Sequence, residues 1–595
     1  MLLRNSWESD DEIVTRKTWS LVSLSFILIL ILALRLFYIQ VFQYTHYLSM
    51  LDDIRIKRRV IEATRGRIFD RNGGVVAENR MSYSITFDPL EREKFAESIT
   101  HLASLVPELP ELLNVSRERM VEKVMNETKD SPNPEKIIQN ADFRLLSIVE
   151  EHKPELPGVG GEFGQQRYYP FGSLAAHAVG YMGKLTKADY NKLRNEGYEY
   201  GSFIGKNGIE KMYEKIMKGK NGAKFLEMNY MSRILQKPTD VKPIPPVPGK
   251  NITLTLDMRL QLAVQEAYGD SLVGALVALD PRNGEVLVMA SFPSFDPNEV
   301  TQMYASLVND PDKPMFNRAI QATYPPGSTF KPITALAGLE NGFTADTEFQ
   351  PCDGAYYFGQ WYECWDENGH GVLDLVEAII NSCNIYFYQL ARKVGLEKWH
   401  EYGAILGFGK KSGIDIQGEE AGLLPGRKYY VERSDINYSL GMMLNLAIGQ
   451  GENLATILQL AYYTGIIATE GVAATPRLVL SDYETPRRII EISPESFRVV
   501  KRGMLGVVHD PHGTAKSAWI PGHRIAGKTG TAQNPHGAAH KLFIAFAPYD
   551  EPSIAVACVV ENAGDYPVSL AVSIVRKLLM TYFEYYTDNR VTAND

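Results

Sequence analysis

Three short runs of this chain combine nucleophile, amine and amide side chains at spacings that support acyl transfer. In the first, Ser328-Thr329-Phe330-Lys331 follows Pro325-Pro326-Gly327. The prolines and glycine stop the preceding chain, and Ser328 is expected to open a helix that carries Ile333, Ala335, Leu336 and Leu339. Residues three apart on a helix share a face. A serine hydroxyl is a poor nucleophile near neutrality, and a neutral amine beside it can take its proton. Burial and a second positive charge drive a lysine toward that neutral form. Taken alone, Ser-x-x-Lys also fits a solvated helix face. The second run, Ser382-Cys383-Asn384, precedes the apolar Ile385-Tyr386-Phe387-Tyr388. It reads either as two polar groups facing a cleft or as a serine N-cap. The third, Gly527-Lys528-Thr529-Gly530-Thr531-Ala532, follows Ile525-Ala526 and reads as an edge strand. There Lys528 supplies the second positive charge expected to depress Lys331, and Gly530 admits a substrate backbone. An ordinary hairpin strand is the bland alternative.

A second set of chemistry-bearing residues lies between the first two runs. Cys352, Cys364, His370 and Cys383 offer three thiolates and one imidazole, a donor set that suits tetrahedral zinc. Because Cys383 sits between Ser382 and Asn384, its side chain is expected to point away from the cleft, so a metal would brace the second run from behind. A Cys352–Cys364 disulfide and free thiols are the competing readings. Cys558, the fourth cysteine, falls in an expected strand and reads as core. Four cysteines are too few for a disulfide scaffold.

The elements that must position these residues follow from patterning. With 595 residues the chain calls for two or three domains. The net charge of −9 argues against a nucleic-acid partner. Residues 18–34 are uncharged and rich in Leu and Ile, and with the apolar residues after Arg35 they suffice to cross a hydrocarbon core of roughly 30 Å. No small-residue cleavage site follows, so an uncleaved anchor over 18–41 is expected. Arg4, Arg16 and Lys17 before the span put the tail, 1–17, in the cytoplasm and the bulk outside. Asn72-Gly73 marks a hairpin, residues 90–150 look helical, and residues 205–210 lead into a helix that stops at Lys218-Gly219. The proline-rich stretch 243–251 reads as a linker. Beyond it, strands are expected at 252–256, 274–279, 284–290, 542–547 and 554–560, with helices at 258–268 and 568–586. Strands at both ends with helices between give an α/β (α+β) domain over 252–588.

Ser-x-x-Lys, Ser-x-Asn and Lys-Thr-Gly, in this order, resemble the signature set of penicillin-binding proteins and serine β-lactamases. The likeness extends over nearly the full length to the class B penicillin-binding proteins, in particular to the penicillin-binding protein 2 group of elongation transpeptidases. It rests on the single anchor, Arg65-Gly66-Arg67-Ile68-Phe69-Asp70-Arg71, residues 205–210, Gly219-Lys220-Asn221-Gly222, Asn317-Arg318-Ala319, Gly369-His370-Gly371 and Gly449-Gln450-Gly451. Two runs depart from the family pattern: Thr456-Ile457-Leu458-Gln459 lacks a proline, and His540-Lys541-Leu542-Phe543 replaces His-Ala-Trp-Phe.

This resemblance implies a non-catalytic pedestal (dimerisation-type) domain, here 42–242, and a penicillin-binding transpeptidase domain. It also implies D-Ala-D-Ala stem peptides as substrate, β-lactams as inhibitors, residual D,D-carboxypeptidase activity, and a RodA-type glycosyltransferase with other elongation proteins as partners. Ser328, Lys331, Ser382, Asn384 and Lys528 become the expected catalytic residues. The developing oxyanion falls to the backbone N–H groups of Ser328 and Thr531, and Thr529, Gly530 and Thr531 are expected to bind the substrate. Relatives with carboxylates in place of some cysteines make Asp353, and less so Asp366, alternative metal ligands. No Glu-x-x-Leu-Asn run follows Asn384, so slow hydrolysis of the acyl-enzyme is expected.

Overall fold

The computed structural model describes residues 8–45, 56–129, 134–198, 201–227, 242–433, 438–481, 486–535 and 537–586. The chain divides into two compact units: residues 1–64 with 219–248, and residues 65–218 with 249–595.

The first unit holds helix α1 (Glu8–Phe37), which runs on into a π-helical turn, Tyr38–Phe42. Within its segment Lys17–Phe42 the most apolar 18-residue stretch has a mean hydropathy of 2.5. Trp19, Phe26, Ile29 and Leu32 all stand exposed along it. Such a surface is stable in hydrocarbon rather than in water. The same unit pairs Ile56–Ile61 antiparallel with Gly222–Glu227.

In the second unit, strand β1 (Val75–Phe87) carries β2 (Glu135–Ala141) and β3 (Val159–Tyr168) antiparallel on its two edges. Ile85, Phe87, Phe95, Ile99, Leu102, Val124 and Val149 form the core beneath them. Strand β2 corrects the helical expectation for 90–150. Helices do occupy Phe95–Leu105, Met120–Glu127 and Phe143–Glu151, but pairing with β1 takes the intervening Ile137-Ile138 segment into the sheet. The turn at Asn72-Gly73 joins Ile68–Phe69 to β1 as expected, with the Asp70 carboxylate accepting from the Asn72 and Gly74 N–H groups at 3.0 and 2.6 Å. Ile68–Phe69 also pairs in parallel with Ile252–Thr253, a shorter strand than the sequence suggests. The helix expected before Gly219 is two short ones, Gly208–Met212 and Glu214–Met217.

The C-terminal part of this unit is built from helices α2 (Met258–Tyr268), α3 (Lys331–Leu339), α4 (Asn384–Ile405), α5 (Ile457–Ala468) and α6 (Ser569–Tyr586). Its sheet comprises β4 (Gly274–Leu279), β5 (Val286–Phe292), β6 (Ala526–Ala532), β7 (His540–Ala547) and β8 (Ile554–Val560), in the antiparallel order β5-β4-β8-β7-β6. Every residue of β4, β5 and β8 is buried, which explains why these strands read as continuous apolar runs rather than alternating ones. Helices α2 and α6 pack on each other over one face, and α5 packs against β4, β7 and β8. Strand β6 lies at the edge, so the third run borders the space in front of the sheet.

Candidate active site

Ser328 stands in a single 3-10 turn, Gly327–Phe330, and α3 begins only at Lys331. The helix therefore starts three residues later than the sequence suggests. Two other elements hold this turn. Gly327 has a φ of +56°, and a Cβ there would fall 2.6 Å from the Thr531 carbonyl oxygen. The Gly327 N–H donates to the Gly449 carbonyl at 2.8 Å. From the same Gly-Gln-Gly run, Gln450 Nε2 donates to the Thr531 carbonyl at 3.0 Å. Residues 449–451 thus tie the nucleophile turn to the edge strand, a role the sequence does not reveal although the run itself is visible in it.

Lys331 is completely buried. Its Nζ donates to the Ser382 carbonyl at 2.6 Å, to Ser382 Oγ at 3.2 Å and to Asn384 Oδ1 at 2.7 Å. The first two motifs therefore meet at one amine. Burial pulls its pKa down to about 8, against the raising influence of the neighbouring Cys383, Cys364 and Cys352. Lys528 is equally buried, and burial followed by the Lys331 charge holds it well below the ordinary lysine range. Burial is the leading cause at both amines, and the repulsion between them, which is mutual, works in the same direction.

The second motif forms a tight corner ahead of α4. Ser382 has a φ of +52° and is not a helix cap. Cys383 caps α4 instead, its Sγ accepting from the Tyr386 N–H at 3.5 Å. Asn384 Nδ2 donates to the Glu363 carbonyl at 3.2 Å, which fixes the amide so that its oxygen faces Lys331.

The glycine of the third motif has a packing role. A Cβ at Gly530 would lie 2.8 Å from Thr329 Cγ2 and 3.2 Å from the Pro326 carbonyl oxygen, so β6 closes directly on the nucleophile turn. Thr531 is the exposed residue of β6, while Thr529 Oγ1 shares a 2.8 Å hydrogen bond with Thr514 Oγ1. No sequence signal singles out Thr514. Of the two departures from the family pattern, Thr456-Ile457-Leu458-Gln459 keeps its function as a helix start. Thr456 and Gln459 form a reciprocal capping box at 3.1 and 2.9 Å, so the missing proline costs α5 no cap.

Behind the Ser382–Asn384 corner, one ligand atom from each of Cys352, Cys364, His370 and Cys383 lies within 4.8 Å of the others. His370 Nδ1 is 3.4 Å from Cys352 Sγ and 3.6 Å from Cys364 Sγ. All four cysteines of the chain are unbonded thiols, so the Cys352–Cys364 disulfide is not formed. The Cys383 thiol is pushed up and holds its proton toward Cys364, and that hydrogen bond lowers the Cys364 thiol toward its thiolate. A buried cluster of soft donors around a ready thiolate fits a tetrahedral divalent metal. Neither aspartate joins the cluster; Asp366 instead accepts from the Asn368 N–H at 3.0 Å. Cys558 is core, its Sγ 3.2 Å from the Tyr268 hydroxyl.

Residues 274–580 match the family described as penicillin binding protein transpeptidase domain, and residues 60–254 match the penicillin-binding protein dimerisation domain. The peptidoglycan D,D-transpeptidase MrdA of Acinetobacter baumannii is 32% identical over 94% of this chain and 87% of its own length. Among solved structures, penicillin-binding protein PBP2 of Helicobacter pylori, in complex with MreC, superposes with a TM-score of 0.80 at 28% identity, covering 89% of this chain and 100% of that one. A chain of a peptidoglycan synthase complex that coordinates polymerization and crosslinking superposes with a TM-score of 0.70 at 28% identity, covering 96% of this chain and 99% of that one.

Proposed function

This chain belongs to the penicillin-binding protein family, and on that premise we propose the following account of its chemistry. It is a serine D,D-transpeptidase that crosslinks peptidoglycan stem peptides in cell-wall elongation and that β-lactams acylate. Neutral Lys331 takes the proton of Ser328 Oγ as that oxygen attacks the carbonyl of the penultimate D-Ala. The tetrahedral oxyanion is held by the backbone N–H groups of Ser328 and Thr531, donors of a kind worth about 3–4 kcal/mol. Collapse breaks the D-Ala–D-Ala peptide bond, and the proton returns through Ser382 Oγ to the leaving amine. Asn384 holds the stem backbone. Lys528, Thr529 and Thr531 receive the terminal carboxylate, with Gly530 letting the strand close on the nucleophile. An amine of a neighbouring stem then attacks the acyl-enzyme and restores Ser328. The observation that carries this reading is the buried Lys331 amine, poised near pH 8 between Ser382 and Asn384.

The Cys/Cys/His/Cys cluster supports a structural zinc held by Cys352, Cys364, His370 and Cys383, which when bound would neutralise the thiolates behind the second motif. The apolar α1 supports an anchor in the cytoplasmic membrane, with residues 1–17 inside and the pedestal (42–242), linker (243–251) and transpeptidase (252–588) domains in the periplasm. Likeness to chains solved with MreC and within a synthase complex supports a RodA-type glycosyltransferase and other elongation proteins as partners.

The test is to supply the full-length enzyme with polymerised glycan strands bearing pentapeptide stems. Crosslinked dimers should form together with free D-Ala, and both should vanish in Ser328→Ala. Free D-Ala without dimers would make the protein a D,D-carboxypeptidase instead.

A further inference from the structure

The region around strands β1 to β3 carries a second group of metal-type side chains, remote in sequence from the three motifs. His101 lies on the helix Phe95–Leu105, His152 ends the helix Phe143–Glu151, and Glu155 closes the 3-10 turn that follows. Their ligand atoms lie within 4.8 Å of one another. The geometry converges on one oxygen. His101 Nε2 is 2.9 Å and His152 Nδ1 is 3.4 Å from Glu155 Oε2, and the two rings meet edge to face with centroids 6.1 Å apart. A tetrahedral ion with bonds of about 2.0–2.2 Å sets its ligand atoms about 3.3–3.6 Å apart, so small side-chain movements would admit one.

We propose that His101, His152 and Glu155 form a surface site for a divalent transition-metal ion, of which zinc is the best match to two imidazoles and one carboxylate. Two nitrogens disfavour calcium and magnesium, which take oxygen ligands. All three side chains are partly exposed, so the fourth coordination position opens to solvent and stays available to a water or to a ligand from a neighbouring molecule. Lys153, the lysine of the same turn, is engaged by Glu150 at 2.8 Å. A bound ion clips the helix Phe95–Leu105 to the turn at 152–155.

Cobalt(II) titration of the untagged, detergent-solubilised full-length protein tests this site. Wild type should bind one more cobalt per chain than His101→Ala/His152→Ala, and zinc should displace it. That additional ion should show weak d–d absorption without a thiolate charge-transfer band, which separates it from any ion held by Cys352, Cys364 and Cys383. His101→Ala alone should weaken its binding tenfold or more. The comparison is between variants with an identical cysteine cluster, so it stands whether or not that cluster takes metal. Equal stoichiometry in wild type and the double variant, or a thiolate band accompanying the additional ion, would overturn the proposal. Unchanged penicillin labelling of the double variant confirms that it is folded.

Discussion

At Lys331 an amine with three acceptors is removed from water, and its pKa falls because burial penalises the charged form more than those dipoles support it. The sign of the resulting pH dependence is fixed. Below about 8 the amine carries its proton and cannot accept that of Ser328; above it the amine is free. Acylation by benzylpenicillin, followed from about pH 6 upward, should rise about tenfold per unit and flatten near pH 8. A flat profile across that window would mean that Lys331 is not the base. Removing the second amine has a different effect. Lys528→Ala should slow acylation about 100-fold by depriving the substrate carboxylate of its cation. It should also move the midpoint of the profile upward, because the repulsion between the two amines is mutual and its loss eases protonation of Lys331. The motif residues were legible from type and spacing. The reason for Gly530, the left-handed backbone of Ser382 and the cap at Cys383 were not, because each depends on which segment packs against it and not on its sequence neighbours.

The elements were legible where patterning is local. The third motif on an edge strand, the α2 and α6 helices and the Asn72-Gly73 hairpin follow from periodicity and turn chemistry. Strand β2 did not, since its partner Tyr83–Phe87 lies about 50 residues away and overrides local preference. Two runs that carried the family resemblance turn out to meet. Arg65 reaches Glu210 at 2.7 Å and Glu214 at 2.7 Å, and Arg167 reaches the other Glu210 oxygen at 2.7 Å. Glu210 is fully buried, and its two arginines, against the pull of burial, hold its carboxyl below the ordinary range. Glu210→Ala would strip buried Arg167 of its carboxylate and leave Arg65 with Glu214 alone, and should destabilise the unit by about 3–5 kcal/mol in denaturant unfolding. A loss below about 1 kcal/mol would mean that water reaches the cluster. At the edge of the catalytic sheet, Gly530→Ala drives a methyl into Thr329 and should cost about 1–3 kcal/mol along with acylation, as strand and nucleophile turn are forced apart.

At the scale of the whole molecule, the apolar N-terminal helix was plain from composition. The pairing of Ile56–Ile61 with Gly222–Glu227 was not, because contacts between segments so far apart in sequence leave no local pattern. The same holds for the cysteine cluster, whose members are recognisable by type while their convergence depends on the path of residues 352–383. If zinc sits there, dialysis against a strong chelator should remove about one ion per chain and lower both the thermal midpoint and the rate of penicillin acylation, with zinc restoring them. The account as a whole rests on a covalent bond at one oxygen. Incubation with benzylpenicillin followed by peptide mass spectrometry should place a single penicilloyl adduct on Ser328, stable over many minutes and absent from Ser328→Ala. An adduct on any other residue, or undiminished labelling of that variant, would contradict it.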